Sequence, residues 1–144
     1  MMRRPGIDLS DAAVLSRLQD LVGIPFKEGG RTLEGADCLG VSLMGLDLGF
    51  GILSEDPWLT IEARWKEGKR DLSDLFPSGW SQVLEGEPRP GDFLMIRQKG
   101  TPSHVVLMAP IGFTLSAQEA ARSRFVRFDD WRPRLHSVWR PRVE

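Results

Sequence analysis

The chain has 144 residues, 41% of them hydrophobic and 27% charged, a length and balance that suit one compact domain with a core of its own. A formal net charge of -1 gives no global drive towards nucleic acid or anionic lipid, and no apolar run is long enough to span a membrane. The single cysteine excludes an internal disulfide, fits a reducing compartment and leaves one thiol free to react.

Met1-Met2-Arg3-Arg4-Pro5-Gly6 is basic but runs into Ile7-Asp8-Leu9-Ser10-Asp11 rather than an apolar stretch, so it does not read as a secretory signal; synthesis and initial residence in the cytoplasm are expected. Asp8 to Ser10 offers an N-cap, and Val14, Leu15, Leu18 and Leu21 recur at helical spacing from Asp11 to Leu21. Gly23-Ile24-Pro25-Phe26 ends that helix and leads to the turn at Gly29-Gly30. A second helix is expected from Cys38, with Leu39, Val41, Leu43, Met44, Leu46 and Leu48 and no charge before Asp47, fading near Gly49-Phe50-Gly51. Residues 54–90 are rich in Pro, Gly, Trp and charge and read as an irregular insertion with one or two short helices, within a single domain 1–144. Strands are then expected at Phe93–Ile96, Ser103–Met108, Phe113–Ala117, Arg124–Phe128 and Leu135–Trp139, separated by turns at Gln98–Pro102 and Pro110–Gly112. Helices followed by hairpin-linked strands make an α+β fold with a mainly antiparallel sheet of about five strands. There is no internal repeat.

The stretch Gly29-Gly30-Arg31-Thr32-Leu33-Glu34-Gly35-Ala36-Asp37-Cys38-Leu39-Gly40 carries the chemistry. A lone cysteine is by default a small buried hydrophobe. Four glycines around it argue otherwise, because a reactive thiol needs close backbone approach and an open side. At the first turn of a helix, the unpaired N–H groups and the dipole favour the thiolate. An activated thiol needs an imidazole partner, and His104 opens a predicted strand behind a Pro-containing turn. His136, among Leu135 and Ser137 on the last strand, is the weaker candidate.

The pattern Phe26-x-x-Gly29-Gly30, Gly35-x-Asp37-Cys38-x-Gly40, Pro90-Gly91-Asp92 and Ser103-His104-Val105 resembles the NlpC/P60 family of papain-like cysteine peptidases. Asp56-Pro57-Trp58, Pro77-x-Gly79-Trp80 and Val138-Trp139-Arg140-Pro141-Arg142 are similar to the versions encoded in phage tail and gene-transfer-agent clusters, so the resemblance spans nearly the whole chain. It implies a papain-like fold and cleavage of an amide in peptidoglycan stem peptides, next to D-glutamate or diaminopimelate, with no metal and no cofactor. Cys38 would attack the carbonyl, His104 would take and return the proton, and the Cys38 N–H would help hold the oxyanion. Asp37 either meets an amino group of the stem peptide or caps the helix. The family orients its imidazole with a third polar residue, most often histidine, on the next strand; by register that position is Ser116, with Gln118 as the second candidate. Phe26 stands where relatives tend to carry a tyrosine reaching the site, and the chain has no tyrosine.

The resemblance further implies delivery to the wall by a tail tip, hence partners among tail-tip or hub proteins and a path from host cytoplasm to virion. The departures at positions 116 and 26 leave open a structural tail-tip or tail-assembly protein that keeps the fold with little or no activity, and an acyltransferase or amidase on the same fold is a third reading. Arg122, Arg124, Arg127, Arg132, Arg134, Arg140 and Arg142 read as a solvated sheet face, as a dock for an acidic partner, or as a nucleic-acid patch, the last disfavoured by Asp129 and Asp130.

Overall fold

The run Phe93-Leu94-Met95-Ile96 has no polar residue in its alternation, so both its faces need cover, and the architecture follows from that need. A computed structural model describes residues 1–53, 63, 67 and 79–143. In chain order its elements are β1 (Met2–Arg3), α1 (Asp11–Gln19), β2 (Arg31–Thr32), β3 (Gly35–Ala36), α2 (Cys38–Phe50), β4 (Ile52–Leu53), β5 (Trp80–Val83), β6 (Phe93–Gln98), β7 (Thr101–Met108), β8 (Phe113–Ser116), β9 (Arg124–Arg127), α3 (Phe128–Trp131) and β10 (Leu135–Pro141). Short 3-10 turns lie at Pro110–Gly112 and Arg132–Arg134. Among the described residues the main sheet has six strands in the order β5-β10-β6-β7-β8-β9, and every pairing in it is antiparallel.

Phe93, Met95, Val105, Leu107 and Leu115 pack against Val14 and Leu18 of α1 and Leu43 and Leu46 of α2. Leu94, Ile96, Val106 and Met108 lie in a second cluster with Phe128 and Trp131 of α3. The period-2 alternation of β6 and β7 thus feeds two cores. Helix α2 is buried along most of its length, as an uncharged run should be, and it stops at Gly51, whose φ of 65° closes a left-handed cap. Ser10 caps α1 by accepting from the Ala13 N–H, and Arg17 ties α1 to α2 by donating from Nε and Nη2 to the Gly49 carbonyl.

The Pro90-Gly91-Asp92 motif has a structural explanation. Asp92 is buried, and its carboxylate accepts from Arg140 Nε and Nη2, both at 2.8 Å, and from the Arg89 N–H at 2.8 Å. The bidentate pair fastens the start of β6 to β10, which runs between β5 and β6.

The α+β class and the antiparallel sheet agree with expectation, and among the described residues the sheet has six strands where about five were expected. The sixth, Trp80–Val83, falls inside the stretch expected to be an irregular insertion; its Pro- and Gly-rich flanks mask a four-residue edge strand. The short helices expected there fall on 54–78, of which only residues 63 and 67 are described. Thr101 and Pro102 belong to β7 rather than to the turn: Lys99 (φ 53°) and Gly100 (φ 79°) make a two-residue hairpin turn, and Gln98 pairs with Thr101. Phe128 starts α3 instead of ending a strand, and α1 ends at Gln19, two residues short of Leu21. The two-residue ladders β1–β4 and β2–β3 are too short to leave a period in the sequence.

Candidate active site

The thiol wall is built by main chain. Asp37 is extended (φ -91°, ψ -174°) and caps α2: Oδ1 accepts from the Gly40 N–H at 2.7 Å and Oδ2 from the Gly29 N–H at 2.8 Å. Of the two roles open to Asp37, the geometry displays the cap, with both carboxylate oxygens on backbone donors. A methyl group on Gly40 would overlap the Gly30 carbonyl oxygen, so the β2–β3 ribbon can lie on the helix start only because position 40 has no side chain. Cys38 is thereby the first helical residue, buried yet on a cleft wall, and its carbonyl accepts from Ser42 Oγ at 2.8 Å. A helix N-terminus leaves the N–H groups of its first residues without intrahelical partners, and Asp37 takes that of Gly40.

The imidazole wall is built by side chains. His104 is 4% exposed, and its Nε2 lies 3.2 Å from Ser116 Oγ. The pairing Leu107↔Leu115 sets Ser116 opposite Val106, one diagonal step from His104 on the same face of the sheet. The ring of Trp131 lies 5.3 Å from the imidazole and is itself held, Nε1 donating to Thr114 Oγ1 at 2.9 Å while that hydroxyl donates to the Val126 carbonyl at 2.8 Å. Burial, and secondarily the Arg134 charge, lower the His104 pKa from 6.5 to about 4. The imidazole is therefore neutral at physiological pH.

Both walls face one open cleft of about 740 Å3, lined by Phe26, Asp37, Cys38, His104 and Gln118 among others. Ser116 stands behind His104 and is buried. Gln118 does not share a strand with it, because β8 ends at Ser116; its Oε1 accepts from Arg124 Nη2 at 3.2 Å. His136 is exposed and pairs with Ser137. Arg134, Lys99, Glu28 and Glu119 also line the cleft and escaped the sequence reading. For Arg134 there was a signal: Trp131-x-Pro133-Arg134, in which a tight turn stacks the guanidinium 5.0 Å from the Trp131 ring centre. The arginine-rich end is largely spent on internal contacts, Arg122 on the Gly23 carbonyl, Arg132 on Glu87 and Asp129, and Arg140 on Asp92. Among the described residues, no group of three His, Cys, Asp or Glu side chains could hold a metal ion, and no helix is long and apolar enough to cross a membrane.

The architecture carrying these two walls is that of NlpC/P60 domains. The chain is similar to the NlpC/P60 domain of the peptidoglycan hydrolase SagA, with a TM-score of 0.59 and 16% identity over 90% of this chain and 97% of that one. It is similar also to the P60 domain of the M. avium subspecies paratuberculosis antigen MAP1204, with a TM-score of 0.58 and 18% identity over 92% and 94% of the two chains. At such identities the likeness is one of fold. No protein-family model and no curated protein sequence matches the chain.

Proposed function

We propose that this chain is an NlpC/P60-type cysteine peptidase that hydrolyses amide bonds in peptidoglycan stem peptides, and that it works as a component of a phage or phage-like tail. The observation that carries the hydrolase reading is the meeting of Cys38 and His104 on the walls of one cleft, the sulfur at a helix start and the imidazole buried against Ser116. If Nε2–H donates to Ser116 Oγ, the lone pair of Nδ1 is left to accept the thiol proton. The sulfur then adds to the carbonyl carbon, the Cys38 N–H stabilises the oxyanion, and the proton passes from Nδ1 to the departing amine as the C–N bond breaks. Water, deprotonated by the same nitrogen, cleaves the resulting thioester and restores the thiol. Phe26 and Gln118 border the path of the substrate. The test is digestion of purified peptidoglycan: the wild type should release fragments identifiable by mass spectrometry and Cys38→Ala should release none. Identical fragment patterns would end the hydrolase reading.

The tail assignment draws on Asp56-Pro57-Trp58, Pro77-x-Gly79-Trp80 and the Val138–Arg142 segment, and on the route to the wall that a tail tip supplies. It entails synthesis in the host cytoplasm followed by incorporation into the particle beside hub proteins. Mass spectrometry of gradient-purified particles should find the chain at tail stoichiometry, and its absence would remove this part.

One observation favours a second reading, a structural tail protein that keeps the fold. His104 titrates near 4 and its neighbour is an uncharged serine, so little supports an imidazolium. Alkylation of Cys38 against pH separates the two. A peptidase should label below the pH of an ordinary thiol and lose that advantage in His104→Ala, whereas a scaffold should follow an ordinary thiol.

A further inference from the structure

Most of the chain's guanidinium groups near the sheet have protein partners, and Arg134 is the exception that matters. Among the described residues Arg132 pairs with Glu87 and Asp129, Arg140 with Asp92 and Arg124 with Gln118, but Arg134 meets no carboxylate and no hydrogen-bond acceptor. Its Cζ lies over the Trp131 ring, 5.0 Å from the ring centre, a contact that uses none of its N–H donors. It lines the cleft, and its charge is felt by His104, so it lies beside the base rather than at a remote rim.

The topology gives the cleft a polarity. Because β10 pairs with β6 through Leu135↔Ile96, Arg134 arrives next to the β6–β7 turn that carries Lys99. The acids Glu28 and Glu119 come from the opposite direction, the loop before β2 and the segment after β8. Strand order therefore sets cations on one side of His104 and carboxylates on the other. A planar, stacked guanidinium with unused donors matches one ligand group best, a carboxylate taken in bidentate fashion.

We infer that Arg134 is a specificity residue that binds a free carboxylate adjoining the scissile amide, so that the preferred stem peptide carries that carboxylate unamidated. The inference deepens the peptidase reading and rests on it for the identity of the ligand. The test uses two synthetic stem tripeptides that differ only in that group, free carboxylate or carboxamide, titrated by calorimetry into full-length Cys38→Ala, which cannot turn them over. The carboxylate form should bind at least about tenfold more tightly. In Cys38→Ala/Arg134→Gln the two should bind within about twofold of each other, with Arg134→Lys between, since lysine keeps the charge but loses the fork. Near-UV circular dichroism of the aromatic side chains checks that each variant is folded. No preference in the single variant, a preference that survives Arg134→Gln, or no binding of either peptide overturns the inference. Hydrolysis by the wild type fails independently: a carboxylate preference without Cys38-dependent cleavage would keep Arg134 as a binding residue and discard the peptidase, and cleavage indifferent to amidation would do the reverse.

Discussion

The two walls of the cleft are made by different means. Cys38 is placed by backbone: a carboxylate on two N–H groups, and a ribbon that touches a helix where glycine leaves room. His104 is placed by side chains drawn from β8 and α3, namely Ser116 and Trp131, the latter carrying Arg134 over its ring. A wall of main chain tolerates almost no change in shape, while a wall of side chains can be altered in steps, each step tuning the base without moving the nucleophile.

The contrast can be broken in order of force. Gly40→Ala drives a methyl into the Gly30 carbonyl, and because both partners are backbone neither can swing away. The expected loss is at least about 3 kcal/mol of stability, read by urea denaturation; an unchanged midpoint would show that the ribbon yields. On the other wall, the depressed pKa of His104 means that the unfolded chain binds the proton more readily. Stability should be fully present above pH 6.5 and fall as pH drops from 6.5 towards 4, by up to about 3 kcal/mol. His104→Gln should flatten that part of the stability–pH curve. For the same reason, the acid limb of kcat/KM should fall near pH 4 rather than 6.5 if His104 is the base. Asp37→Ala strips acceptors from two N–H groups and should cost about 2 kcal/mol, with Asp37→Asn recovering part of it. Ser116→Ala should leave stability within about 1 kcal/mol and lower kcat about tenfold with little change in KM, since it only orients the imidazole. A Ser116→Ala enzyme with full kcat would show that packing against Trp131 suffices to hold the ring.

The same division governs what the sequence disclosed. The thiol wall is nearly contiguous, residues 29–40, so its glycines, cap and helix start could be read together. The imidazole wall is spread over residues 104, 116, 131 and 134, and only tertiary packing brings them together. His104 and Ser116 were reachable through a motif and a strand register; Arg134 was absorbed into a run of arginines that look alike until their partners are seen. Gln118 lines the cleft but lies beyond the end of β8, where its side chain turns to Arg124, so strand register does not reach it. The long strands announced themselves by apolar alternation. Trp80–Val83 did not, since an edge strand with Ser81 and Gln82 buries too little to imprint a pattern.

The clamp of Arg140 on Asp92 bears on how the molecule comes into being. Strand β10 is wedged into the interior of the sheet, flanked on both sides by strands made earlier, and locked there by the pair of the buried Asp92 with the partly exposed Arg140. Until it arrives, the Trp80–Val83 strand lacks its ladder to β10 and the cleft lacks the turn that carries Arg134. Assembly of the sheet thus waits on β10, and a chain that has made only the strands before it holds its thiol and its imidazole without yet owning a finished binding cleft.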